Sequence, residues 1–275
     1  MADGAPRYQE DKTRALPIRF FVRGEKRGGG TGTAGRRLFG VDAPAHVYLL
    51  GTDDYGRDQL SRLLYGGQVS LFAGLLATMI ALSLSLLLGG ISGYFGSWAD
   101  DIIMGSAEIF MALPWIYLLF AVRAFLPLHL DTRQAFFLVI SIGGLTGWAR
   151  PSRLIRGVVL SGKQRDYVRA ARGFGASTAY ILRRHVLPDV SSVALTQAAL
   201  LVPHFILAEV ALSFLGLGVG EPVPSWGNML AGLQNYYVLK SYWWMSISGL
   251  ALIPVFLLYY WLSDALQARL SGVAQ

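Results

Sequence analysis

The sequence predicts an all-α integral membrane helical bundle. Three observations carry that reading: long apolar segments recur along the chain, 53% of its 275 residues are hydrophobic, and only 15% are charged. A soluble domain has about 25% charged residues. The net charge of +7 would also suit nucleic acid, but beside such segments the positive-inside bias of membrane proteins is the simpler source. The absence of cysteine excludes disulfides, thiolate metal sites and thiol catalysis.

Residues 1–68 form a polar segment with eleven Lys/Arg against eight Asp/Glu and no stretch resembling a signal peptide. A transmembrane domain follows over 69–265, with a short tail at 266–275. Its five expected spans are 69–94, 102–124, 132–149, 190–215 and 244–262, judged against the ~20 apolar residues that a crossing helix needs. The third is short and carries Gly143, Gly144 and Gly147, which permit close helix packing. Pro114, Pro203 and Pro254 are expected to kink their helices.

Orientation follows from the connection 150–188, which holds nine basic residues against Asp166, with Asp189 at its edge. Such a loop stays in the cytoplasm. Residues 93–101 and the tail are then inside, and 125–131, 216–242 and the N-terminal segment are outside. The length of that segment makes its charge compatible with export.

The loop is longer than a connection requires. Within it, DYVRAARGFGASTAYILRRHVLP places Tyr167, Ala170, Ala171 and Phe174 at i, i+3, i+4 and i+7, one apolar helical stripe. Arg165, Arg169 and Arg172 occupy another face. Gly175 suits a turn with positive φ, Ser177 suits a helix cap, and Pro188 suits a stop. The segment asks for a partner on its apolar side: a nucleic acid, a membrane surface or a groove in another protein.

These residues resemble the motif E-A-A-x3-G-x9-I-x-L-P of membrane subunits of ABC-type importers. Ala170, Ala171, Gly175, Leu187 and Pro188 match it, while Arg169 stands in place of the glutamate and His185 in place of the isoleucine. LLGTDDYGRDQLSRLLYGGQVSL, GYFGSWADD, WARPSRLIRG and AEVALSFLGLGVGEPVPSWGNMLAG are similar to the C-type permease subunit of dipeptide, oligopeptide and nickel importers. The resemblance covers roughly residues 45–265. It implies the type I transmembrane fold of a bacterial inner-membrane permease. The implied partners are a homologous permease subunit, two cytoplasmic ATPase subunits and an extracytoplasmic solute-binding protein. ATP and Mg belong to the ATPases, and this chain is expected to bind no cofactor and to catalyse no covalent chemistry. The substrate is expected to be a peptide or a related solute such as a nickel complex. By the same resemblance the loop docks on an ATPase, and the chain reads as beginning within the family's outer loop, its first span missing. That predicts a native protein about forty to fifty residues longer.

Glu108 and Glu209 are ionisable groups in the expected spans and so candidates for the translocation path. Hydrogen bonding to a neighbouring helix is the competing role. An ion-coupled secondary transporter using both carboxylates is the alternative function; it would be favoured by inverted halves, and none is visible. GTGTAG at 30–35 fits a dinucleotide fingerprint in letters only, with no strand before it and no amphipathic helix after it. His46, His129, His185 and His204 lack metal-site spacing.

Overall fold

In the computed structural model the described residues are 17–22, 39–41, 47–114, 117–118, 120–121 and 131–270. GTGTAG, His46 and His129 lie outside them. The chain divides into two units, Met1–Gly51 and Thr52–Gln275. In the first, β1 (Arg19–Phe20) pairs antiparallel with β2 (Phe39–Gly40), a two-residue ladder that an all-α reading does not anticipate.

The second unit is helical. α1 (Gln59–Phe95) is capped by Asp58, whose carboxylate accepts from Ser61 N at 3.2 Å. Its 37 residues rise about 55 Å at ~1.5 Å each, more than a bilayer core requires. One face of α1 is built of small residues, among them Ser70, Ala73, Gly74, Ala77, Ala81, Ser85, Gly89 and Gly93, all buried. Neighbouring backbones press against it. A Cβ at Gly89 would stand 2.5 Å from Ser152 O, and one at Gly74 would stand 2.4 Å from Ile206 Cγ1. Ser85 Oγ bonds Ala81 O at 2.6 Å and Trp148 O at 2.9 Å.

α2 (Ser97–Ala112) ends where Leu113 turns extended before Pro114. A residue preceding proline is pushed out of the α region, so the expected span 102–124 is interrupted at its middle. α3 (Thr132–Thr146) is followed, after a turn at Gly147 and Trp148, by α4 (Ala149–Gly162). Pro151 is tolerated in the first turn of α4, where backbone N–H groups have no helical acceptor. The loop expected from residue 150 therefore opens as a helix. Ser152, Ile155, Val159 and Gly162 form its buried stripe, and arginines on the other faces hid that stripe in the sequence.

α5 (Asp166–Gly173) and α6 (Thr178–Ile181) follow. Ser177 Oγ accepts from Tyr180 N at 3.3 Å. A π-helical turn, Leu182–Val186, leads into α7 (Leu187–Phe214). Pro188 thus lies in the first turn of α7 and does not stop the helix; the widened turn before it accommodates the missing N–H. α7 closes at Gly216, φ 73°, with Leu217 N bonding Leu212 O at 2.9 Å. The connection 216–242 contains α8 (Trp226–Ala231) and α9 (Tyr236–Ser241). A 3-10 turn, α10 (Ile247–Leu250) and α11 (Leu252–Leu270) complete the chain as described.

Among the described residues three helical stretches are long and apolar enough to cross a membrane: Gln59–Phe95, Arg183–Phe214 and Trp243–Arg269. The expected span 102–124 is broken at Pro114, and in the expected span 132–149 the helix runs 15 residues, Thr132–Thr146, before the Gly147–Trp148 turn.

Candidate functional site

Sequence reasoning put the apolar side of α5 against a partner, and the structure leaves most of that side uncovered. Val168, absent from the expected stripe, is the residue that faces inward. It is fully buried among Ile155 and Val159 of α4, Ile181 of α6, Val186 and Val190, with Tyr94 and Ala176 at the edge. Tyr167 is 44% exposed and Phe174 is 92% exposed; Arg169 and Ala170 are exposed and Ala171 is half-buried. One helix therefore has two apolar edges, one spent on the fold and one free.

The exit from α5 is a Schellman turn. Ala176 N bonds Ala171 O and Gly175 N bonds Arg172 O, each at 3.0 Å, with Gly175 at φ 83°. His185 sits with its ring 5.3 Å from that of Tyr167 and 5.9 Å from that of Tyr180, joining the π turn to α5 and α6. Arg165 donates to Tyr167 Oη at 3.0 Å and pairs with Asp189 at 3.0 Å. Leu187 and Pro188 are exposed. The ring contact thus brings the candidates Tyr167 and His185 together, and Ala170, Ala171, Phe174 and Gly175 continue the segment that Tyr167 opens.

Glu108 and Glu209 are not brought together. Glu108 is 66% exposed on its side chain and lies 3.9 Å from Arg153. Glu209 is buried, its Oε1 accepting from Ser213 Oγ at 2.7 Å. Ser213 Oγ in turn accepts from Val219 N at 3.0 Å, tying α7 to the loop beyond it. Ser70 and Ser225 face the same carboxyl. Their oxygens accept from Trp226 N and Asn228 N, each at 3.2 Å, so their O–H groups can turn toward Glu209. Glu209 also borders a cavity of about 450 Å³ whose polar lining includes Arg150, Gln197 and His204.

Two ionic clusters at opposite ends of α1 were not singled out in the sequence. Before the helix, buried Asp53 accepts from Tyr55 N at 3.0 Å, Arg57 N at 2.8 Å and Arg57 Nε at 2.7 Å. Glu221 joins Arg57 and Arg62, each at 2.6 Å. Burial pushes the Glu221 carboxyl up, but the bonds from Arg62 and Arg57 override it and leave the group below its ordinary range. Beyond the far end, Asp100 of α2 takes two bonds from Arg156 of α4 and one from Ser92 of α1. The bond from Arg156 holds the Asp100 carboxyl below its usual range, against burial. The signals were present as GTDDYGRD and GYFGSWADD, whose charges flank a span, but their partners lie far along the chain.

Residues 85–272 match the family described as the binding-protein-dependent transport system inner membrane component. The chain is 37% identical over 202 residues to the dipeptide transport system permease protein DppC of Bacillus subtilis, covering 73% of this chain and 61% of that relative's length. It is 38% identical to the di/tripeptide transport system permease protein DppC of Pseudomonas aeruginosa, covering 82% of this chain and 74% of that protein. An inward-facing structure of the MetNI methionine ABC transporter superposes with a TM-score of 0.57 at 17% identity, covering 79% of this chain and 98% of the other. That likeness concerns the fold alone.

Proposed function

This chain belongs to the binding-protein-dependent transport system inner membrane components, and from that premise we propose that it is the membrane-spanning permease subunit of an ATP-driven peptide importer. Members of the family are transport components and not enzymes. The peptide assignment rests on relatives named as dipeptide and di/tripeptide permeases.

The observation that carries the coupling role is the free edge of α5. Phe174 is almost wholly exposed beside Tyr167 and small Ala170, while Val168 fixes the helix from behind. A small-residue centre lets a partner's backbone approach closely, and an exposed aromatic supplies an anchor. The free edge would sit in a groove of a cytoplasmic ATPase subunit, with Arg169 and Arg172 toward its rim. ATP hydrolysis in the ATPases would move α5, and the spans would alternate between outward and inward access. A homologous permease subunit would form the other wall of the path, and an extracytoplasmic binding protein would deliver the peptide.

The test is reconstitution of the complete transporter into vesicles with labelled dipeptide and the loaded binding protein. The reading expects uptake that requires ATP and survives ionophores. Uptake that ignores ATP and collapses when ion gradients are dissipated would refute it.

A further inference from the structure

Movement of α5 produces transport only if the spanning helices follow it, and the structure contains a connection suited to that. α5 has one buried anchor, Val168, and it rests on Ile155 and Val159 of α4. α4 is in turn fastened closely to the inner end of α1, its Ile155 and Val159 side chains lying against Gly89 and Gly93. Cβ atoms at Gly89 and Gly93 would lie 2.5 Å from Ser152 O and 2.8 Å from Arg156 O, so the two backbones touch. Lys163, the residue just after α4, donates from Nζ to Tyr94 O at 3.1 Å. These contacts bind α4 to α1 only.

Further along, α2 packs through Ala107 and Ile103 on Trp148, Ala149 and Leu84; at its start, next to the turn from α1, the link is ionic. Arg156 meets both carboxylate oxygens of Asp100 through Nε and Nη2, and Ser92 Oγ donates to the same carboxylate. A two-point guanidinium–carboxylate pair fixes orientation as well as distance. Asp100 lies in the first turn of α2, just after the turn at Gly96, φ 64°. One carboxylate therefore holds three helices.

Resting on the permease reading above, we infer that Asp100 and Arg156 are a positioning pair that makes the α1–α2 turn move with α4, so that displacement of α5 reaches two further helices of the bundle. The pair lies away from the exposed face of α5 and touches no partner-facing residue named above. Its loss would leave docking intact and let the ATPase turn over while the start of α2 follows α4 less closely.

The experiment uses the complete reconstituted transporter and reads ATPase retention, ATP hydrolysis and peptide uptake per ATP hydrolysed. Asp100→Asn and Arg156→Gln are expected to retain the ATPase and to hydrolyse ATP, while uptake per ATP falls about threefold to tenfold. The exchange Asp100→Arg with Arg156→Asp is expected to recover most of that ratio, which a defect unrelated to the pairing would not show. Should Asp100→Asn fail to reach the membrane, Arg156→Lys, which keeps the charge and loses the two-point geometry, is read for the same fall. An unchanged ratio in the variants, or a fall that the exchange does not recover, overturns the inference. Failure of the permease reading shows separately, as absence of ATP-driven uptake by the unaltered complex.

Discussion

Val168 in the first turn of α5 and Phe174 just beyond its last residue stand six residues apart, the first fully buried and the second 92% exposed. On the function proposed above, stability and docking fall to different residues of one short segment. Val168→Ala removes two buried carbons and should cost about 2 kcal/mol, lowering the unfolding midpoint of the detergent-solubilised subunit. Phe174→Ala should change that midpoint little, within about 0.5 kcal/mol, and weaken retention of the ATPase on purification. Equal destabilisation by both would mean that Phe174 is packed within the subunit.

Gly175 and Ala171 test the same surface from the side of geometry. Gly175 closes the turn at φ 83°, a conformation that costs other residues about 1–2 kcal/mol. Gly175→Asp strains that turn, and Ala171→Arg sets a charge on the docking edge. Both proteins should reach the membrane and release the ATPase. Wild-type stoichiometry with transport intact would remove α5 from the coupling role.

Adjacent glycines of α1 should respond with opposite sign. Gly89→Ala drives a methyl group to 2.5 Å from Ser152 O, and overpacking of this kind costs about 1–3 kcal/mol. Gly90 has open space where its Cβ would be. Gly90→Ala should therefore stabilise by up to about 1 kcal/mol through helix propensity. Paired thermal denaturation checks this, and two shifts of the same sign would contradict the packing described.

The cluster before α1 should show acid sensitivity with a defined sign. Glu221 has a folded pKa below its ordinary 4.5. Its contribution is therefore complete above pH 4.5 and is lost as pH falls through the lower folded value. The midpoint difference between the wild type and Glu221→Gln should be constant from neutral pH down to about pH 4.5 and shrink from there as pH falls through the folded value. A difference that grows on acidification would reverse the assignment.

Ser213→Ala probes the buried link around Glu209. The hydroxyl serves the Glu209 carboxyl and Val219 N together, so its removal leaves two buried groups short of a partner. The expected loss is about 1–3 kcal/mol, read as a lower unfolding midpoint. No change would show that neither bond matters to stability.

The helical class, the family and the cores of α1, α7 and α11 were legible because long apolar runs are a strong local signal. Gly175 and Ser177 were legible because turn and cap chemistry is local as well. α4 was not, since its arginines read as a loop while Ile155 and Val159 were too few to declare a buried face. Val168 escaped for a related reason: the stripe at 167, 170, 171 and 174 is the longer one and drew the assignment to itself. The break at Pro114 was foreseen as a kink, but its depth depends on Leu113 turning fully extended. Asp100 and Arg156 are 56 residues apart, and Arg62 and Glu221 are 159 apart. Charge pairs at such separations leave no mark on local pattern.

The small-residue face of α1 alters what counts as a conservative exchange. On a lipid-partition scale, Ala77→Leu is a gain; on this face the added carbons must displace a neighbouring helix. Ala77→Ser is a loss on that scale yet adds a single heavy atom. Its hydroxyl has an outlet, as Ser85 shows by bonding the carbonyl four residues back. Tolerated drift along this helix should run through Gly, Ala, Ser and Thr, crossing the polar boundary freely. Drift through Val and Leu, which keeps every residue apolar, should be the kind that is purged. Bulk, not polarity, decides what fits on this face.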